Sequence, residues 1–305
     1  MIIGVSLSDC IDEFLLDQRV KGNSSETLKY YRHCLDKFSK YCGEDFDASD
    51  VTLRICKEYY LDLTEKIKNS VSVQSYIRGL RAFLHYLHEE EYIDEDICRK
   101  FKLPKATRKV IDVLSDEEID KLLAALSGDE WLTVRNRLIV ALMLDSGLRL
   151  NEVVTLQSSS VHLKERYLIV TGKGDKQRTV PFGEFTAKTL EEYLVITKNA
   201  GVKTNLIIKV SETLCGFEPI TQATIKNMFR RLKARAGIPR LYPHLLRHTF
   251  ATRYLENGGN IYTLQAILGH TSLEMVKKYL HLATTRIRAD FPKFSPLDNI
   301  KKDPL

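Results

Sequence analysis

The stretch HLLRHTFAT, His244 to Thr252, carries two histidines and an arginine within little more than one helical turn. His244 and His248 are four residues apart and share one helix face, the spacing of paired zinc-binding histidines. The same residues permit a second chemistry, in which His244 and Arg247 converge on an anion and the attacking group comes from elsewhere. A zinc helix needs glutamate as general base directly after its first histidine, where Leu245 stands. It would also hold the Arg247 guanidinium beside a bound dication, with no third ligand nearby. The anion reading fits better. Pro243 suits the first turn of a helix, so His244 and Arg247 fall near a helix N-terminus, where free N–H groups and the helix dipole favour negative charge. Arg247 adds a bidentate grip on phosphate and His244 a further hydrogen bond. His248 lies on a different face from Arg247 and reads as a structural histidine.

Further cationic and nucleophilic residues stand in three other segments. Arg149 follows a glycine turn at a helix start in SGLRLNEVVTL, and Glu152 is placed to orient one of the site's groups or to make an ordinary ion pair. Lys173 lies at the tip of TGKGDKQRTVP, where flanking glycines let a loop approach a ligand. LGHTSLEMVKKYLH supplies His270 after a glycine and Tyr279 nine residues later. Each has a plainer reading by itself: an ion pair, a solvated turn, a helix cap, a core aromatic. Together they make a phosphate-shaped set with a phenol as candidate nucleophile.

The elements that must position these residues are mostly helical. The chain has 305 residues, 44% hydrophobic and 28% charged, ordinary for a globular protein with real cores. No run of about 18 apolar residues suggests a membrane span, and the N-terminal MIIGVSLSDCIDEF lacks a basic signal-peptide region. Six cysteines without a CxxC pair read as reduced thiols, so a cytoplasmic protein is expected. The net charge of +6 is compatible with nucleic acid but does not require it.

The first hundred residues predict four helices. In the second, Leu28, Tyr31, Leu35, Phe38 and Cys42 form a 3.6-period apolar stripe, with Lys29, His33, Lys37 and Lys40 beside it. In the fourth, Ile77, Leu80, Leu84 and Leu87 are the buried face, and Arg78, Arg81 and His85, with His88, repeat the spacing one residue on. One such stripe is usually a solvated face. Two in one small bundle point to a surface that follows a phosphate backbone, so Lys29, His33, Lys37, Lys40, Arg78, Arg81 and His85 are the candidate DNA contacts.

The basic RKFKLPKATRKVID reads as an inter-domain linker. Ser115 and Glu118 then have capping-box spacing before an apolar run. RYLIVTGKGDKQRTVPF is the best β-hairpin in the chain, and helices resume after it. The expected fold is mainly α: an N-terminal four-helix bundle over 1–103, a linker over 104–112, and a mostly helical α/β domain with a small antiparallel sheet over 113–305.

The ordered set Arg149, Lys173, His244, Arg247, His270 and Tyr279, in the four segments quoted, resembles the tyrosine recombinase (phage-integrase) family, with a SAM-like core-binding bundle ahead of the catalytic domain. The likeness is strong from about Leu114 to Leu282 and looser before it. It departs where Asn151, Val276 and Lys277 replace frequent hydroxyl residues. A helical segment starting within the first ten residues resembles the two-domain, Xer-type members rather than integrases with an arm-binding domain.

The resemblance implies that Tyr279 attacks a scissile phosphate and leaves a 3′-phosphotyrosine. Arg149 and Arg247 clamp the non-bridging oxygens, which needs no metal or other cofactor. Lys173 is the general acid for the leaving 5′-hydroxyl, His244 assists proton transfer at Tyr279, and His270 hydrogen-bonds the phosphate. The implied partners are double-stranded DNA with a specific recombination site and a homo-tetramer across two duplexes, with exchange through a Holliday junction. A paralogous or regulatory protein is compatible with this scheme, which serves either chromosome dimer resolution or mobile-element integration and excision. The apolar tail after Ala283 suits docking into a neighbouring protomer. Two alternatives stay open: a type IB topoisomerase acting on one duplex, and a non-catalytic DNA-binding factor on the same scaffold.

Overall fold

The computed structural model describes residues 5–103, 112–198, 205–211, 216–270, 272–277 and 279, with Lys173 and Met275 described by backbone alone. The chain divides into two compact units, Met1–Lys109 and Val110–Leu305. Most of the expected linker and the whole tail after Ala283 lie outside the described residues. Asp112, expected in the linker, belongs to the second unit, where it pairs with Arg240 at 2.6 Å.

The first unit contains α1 (Leu7–Val20), α2 (Ser25–Cys42), α3 (Leu53–Lys66), α4 (Ser70–Glu89) and a single turn, α5 (Ile97–Lys100). Each begins where a polar side chain satisfies an otherwise orphaned N–H. Ser6, Ser24, Thr52, Asn69 and Asp96 accept from the first turns of the five helices in order. The predicted apolar face of α4 is fully buried at Ile77, Leu80, Leu84 and Leu87. Phe14 packs edge-on against Tyr31, Phe83 and Tyr86, tying α1 to α2 and α4. Gly79 sets the approach of α4 to α2: a Cβ there would lie 2.7 Å from the Cβ of Cys34. The Tyr30 hydroxyl, donating to the Ser75 carbonyl at 2.6 Å, fastens the same contact.

The second unit contains α6 (Asp116–Ala124), α7 (Trp131–Leu144), α8 (Leu150–Thr155), β1 (Val161–His162), β2 (Tyr167–Thr171), β3 (Gln177–Pro181), α9 (Glu184–Thr197), β4 (Ile208–Val210), β5 (Phe217–Pro219), α10 (Gln222–Ala236), α11 (Pro243–Glu256), α12 (Ile261–Leu268) and α13 (Glu274–Lys277). The Ser115–Glu118 capping box forms as its spacing predicts. Helix α7 is buried on most sides, as the unbroken apolar run over residues 138–144 requires, and shares its core with Leu190, Tyr193, Leu245 and Leu246.

Strands β1, β2 and β3 form an antiparallel sheet in that order, with Leu168 opposite Val180. The second sheet, β4 against β5, was not expected. Its three-residue strands are too short to display alternation, so no periodic signal marks them.

Candidate active site

The site starts at the end of α7. Gly147 turns the chain with φ +65°, and a Cβ there would come within 2.4 Å of the Phe250 ring. The turn delivers Arg149 to the N-cap of α8 and Glu152 to its first turn. Glu152 accepts from the Arg149 backbone N–H at 2.7 Å and from the Arg149 guanidinium at 2.9 Å. A carboxylate at a helix start is electrostatically at home, and here it also holds an arginine side chain in place.

Arg247 rises from the buried face of α11 and is only 4% exposed. It donates to the carbonyls of Gly147 and, at 2.8 Å, of Leu268, and one of its N–H groups meets the Nε2 of His270 at 3.0 Å. Glu152 lies 4.0 Å away. Burial, then the neighbouring Arg149 charge, lower the Arg247 pKa to about 10, so the guanidinium stays charged at neutral pH. Two arginines, a histidine and their shared carboxylate are thus gathered from α8, α11 and the residue pair that ends α12.

Tyr279 is buried, 1% exposed, in a small apolar cluster with Ala251, Leu255, Leu264, Leu268 and Val276. Burial pushes its pKa up to about 12, and the charges of Arg247 and Arg149 pull against that rise. The sequence assigns proton transfer at this hydroxyl to His244 and a structural place to His248. Unexpectedly, the Nδ1 of His248 stands 2.8 Å from the Tyr279 hydroxyl. His244 is exposed one turn earlier, its ring centroid 6.5 Å from that of His248. Helical phase separates His248 from Arg247 on α11, but Tyr279 arrives from a later segment on the His248 side. Among the described residues no group of three or more His, Cys, Asp or Glu could hold a metal ion.

The hairpin β2–β3 borders a cleft of about 740 Å³ lined by Arg149, Glu152, Thr171, Gly172, Arg178 and His270, among others. The backbone of Lys173 is at the hairpin turn, beside these lining residues. Its side chain lies outside the described part of the structure. Arg178, which the motif reading passed over, is the unexpected member. It leaves β3 to grip both oxygens of Glu152 at 2.9 Å and donates through Nε to the Ile267 carbonyl at 2.6 Å. Gly269, at φ +61°, leaves room for it: a Cβ there would sit 3.1 Å from the guanidinium stem. The glutamate, half-buried arginine and glycine are all visible in the sequence, but no local spacing links them.

The candidate DNA contacts of the first unit divide. Lys40 and Arg78 are exposed, and exposed Lys29 pairs with Glu26 at 2.9 Å. Lys37 lies over the Tyr76 ring, 4.7 Å from its centroid, and the Nε2 of His33 meets the Tyr76 hydroxyl at 2.8 Å. His85 lies 3.2 Å from Glu89. Arg81 departs from the expectation of an outward contact, since its guanidinium donates to the Phe101 carbonyl and ties α4 to the end of the unit.

The phage integrase family model matches residues 112–286, and the phage integrase SAM-like domain matches residues 6–103. The tyrosine recombinase XerD of Halalkalibacterium halodurans is 28% identical over 296 residues, covering 95% of this chain and 99% of that protein. The XerD of Staphylococcus haemolyticus is 30% identical over 290 residues, covering 94% and 98%. Among solved structures, XerA recombinase is 27% identical with a TM-score of 0.52, covering 94% of this chain and 99% of that one. The Tn1549 transposon integrase, solved with transposon right-end DNA, superposes with a TM-score of 0.76 at 21% identity, covering 95% and 100%. That last likeness speaks for the fold. No described helix is long and apolar enough to cross a membrane.

Proposed function

The chain belongs to the phage integrase family, and from that premise we propose that it cleaves and rejoins DNA at a specific site with Tyr279 as nucleophile. The observation that carries the reading is the hydroxyl of Tyr279, 2.8 Å from His248 and under the charges of Arg247 and Arg149. Phosphodiesters react slowly unaided, so a competent site supplies both a nucleophile and stabilisation of growing negative charge. The Tyr279 oxygen bonds to phosphorus, the bond to O5′ breaks, and a 3′-phosphotyrosine remains. The phenol proton passes to His248. Lys173 donates a proton to the departing O5′, and the exposed His244 reaches a phosphate oxygen. Arg149 and Arg247 hold the non-bridging oxygens, with His270 as a further donor. Glu152 orients both arginines.

The phosphotyrosine preserves the energy of the broken ester, so a 5′-hydroxyl from a second duplex reverses the attack without a nucleotide cofactor. Four protomers on two duplexes would then exchange strands pairwise through a Holliday junction. The residues after Ala283 would dock between protomers. The N-terminal domain (1–103) holds the duplex through Lys40, Arg78 and their neighbours, and the catalytic domain follows the linker. Chromosome dimer resolution and mobile-element excision both fit this chemistry.

The test is to express wild type and Tyr279→Phe in cells, denature the lysates and sequence the DNA covalently attached to the protein. Adducts confined to wild type and converging on an imperfect palindrome are the expected result. Adducts scattered over the genome would favour a relaxing topoisomerase. Site-specific occupancy by both proteins with no adduct would overturn the catalytic reading.

A further inference from the structure

Arg178 makes the most heavily built contact of the site, yet nothing in the chemistry above uses it. Its side chain is 13% exposed and that of Glu152 is 5% exposed. Each Glu152 oxygen takes one Arg178 N–H, and each also takes one bond from Arg149, through the guanidinium at Oε1 and the backbone at Oε2. The bond from Arg178 to the Ile267 carbonyl spans the gap to the end of α12, next to the Leu268 carbonyl that holds Arg247.

The charge balance explains the arrangement. Arg149 and Arg247 together present two positive charges to a phosphate. Glu152 fixes the direction of Arg149 and lies 4.0 Å from Arg247, so by itself it would offset half of that charge. At low effective dielectric such an offset is large. A third guanidinium, facing the carboxylate from behind in the bidentate geometry, takes up the glutamate's charge and leaves the other two effective.

We propose that Arg178 is a positioning residue that neutralises Glu152, so that the carboxylate orients Arg149 and Arg247 without cancelling their charge on the scissile phosphate. The inference rests on the recombinase reading above. It assigns the hairpin a second task beyond carrying Lys173: strand β3 brings the counter-charge that makes the phosphate clamp effective.

The test uses full-length protein and a nicked duplex carrying the site recovered from wild-type adducts. Arg178→Met should slow adduct formation roughly 10- to 100-fold, the usual loss when a supporting partner of a site is removed. DNA affinity should stay within about three-fold, since the Arg178 guanidinium is taken up by Glu152 and the Ile267 carbonyl. The double variant Arg178→Met with Glu152→Gln removes the uncompensated charge while the amide keeps an acceptor for Arg149, and should recover part of the lost rate. A merely structural brace would make the double variant no faster than the single one, and that result overturns the inference. Arg178→Lys keeps the charge and should stay within about ten-fold of wild type even if Arg178→Met fails to fold. A folded lysine variant slowed about 100-fold would equally overturn the inference. Wild-type protein that forms no adduct overturns the recombinase reading and this inference with it. Wild-type adducts with an unaffected Arg178→Met overturn this inference alone.

Discussion

The Nδ1 of His248 stands 2.8 Å from the hydroxyl of Tyr279, across 31 residues of sequence, and the phenol itself is buried. A phenol whose pKa is pushed up to about 12 holds very little phenolate at neutral pH, so a positioned base matters. Removing His248 as His248→Ala should slow cleavage by about 100-fold at pH 7 with DNA binding retained. The sign of the pH effect follows from the raised pKa. Phenolate grows as pH rises, so the variant's deficit should narrow between pH 7 and 9. Single-turnover adduct formation across that range is the measurement; a variant within about three-fold of wild type at pH 7 would remove His248 from the mechanism.

Gly147 performs two tasks that alanine cannot. Its φ of +65° is left-handed, and an added Cβ would meet Phe250 at 2.4 Å while the Gly147 carbonyl holds Arg247. Backbone strain and overpacking together predict that Gly147→Ala loses about 2–4 kcal/mol of stability and most of its cleavage. Urea unfolding beside the adduct assay would reveal it, and an unchanged midpoint would contradict the geometry.

Glu152 is buried, which by itself would raise its pKa, but the hydrogen bonds and charge of Arg178, then Arg149, outweigh burial and hold it below the ordinary carboxylate range. A depressed carboxylate contributes stability above its unfolded pKa of about 4.3 and loses it as pH falls through the folded value. Glu152→Gln should therefore cost about 2 kcal/mol at pH 7, with the gap to wild type closing below about pH 4. Denaturant midpoints at the two pH values decide it, a constant gap being the contrary outcome.

On the first unit, Lys40 and Arg78 are exposed and are the proposed phosphate contacts, whereas the Arg81 guanidinium donates to the Phe101 carbonyl. Lys40→Ala and Arg78→Ala should each weaken binding uniformly across sequences and reduce the slope of log affinity against log salt by about 0.9. Arg81→Ala should instead lower stability by about 1 kcal/mol with the salt slope unchanged. Binding isotherms at several salt concentrations, paired with thermal melts, separate the two classes.

The four helices of the first unit were legible because amphipathic spacing and capping residues are local properties. The Ser115 capping box and the hairpin around Gly172 and Gly174 were readable for the same reason. Residue types alone also nominated Arg149, Arg247, His270 and Tyr279, since a phosphate-handling site needs fixed cations and a nucleophile in recognisable segments. Each signal lies within a short segment of its own, as His270 and Tyr279 do nine residues apart. Which histidine meets Tyr279 was not legible, because it depends on how the segment after α12 packs back onto α11. Nor was the place of Arg178, which reaches Glu152 across 26 residues and Ile267 across 89. Local sequence determined the elements and the chemical inventory; tertiary packing alone decided which side chains share a hydrogen bond, because helix phase and strand register say where a side chain points but not what arrives to meet it.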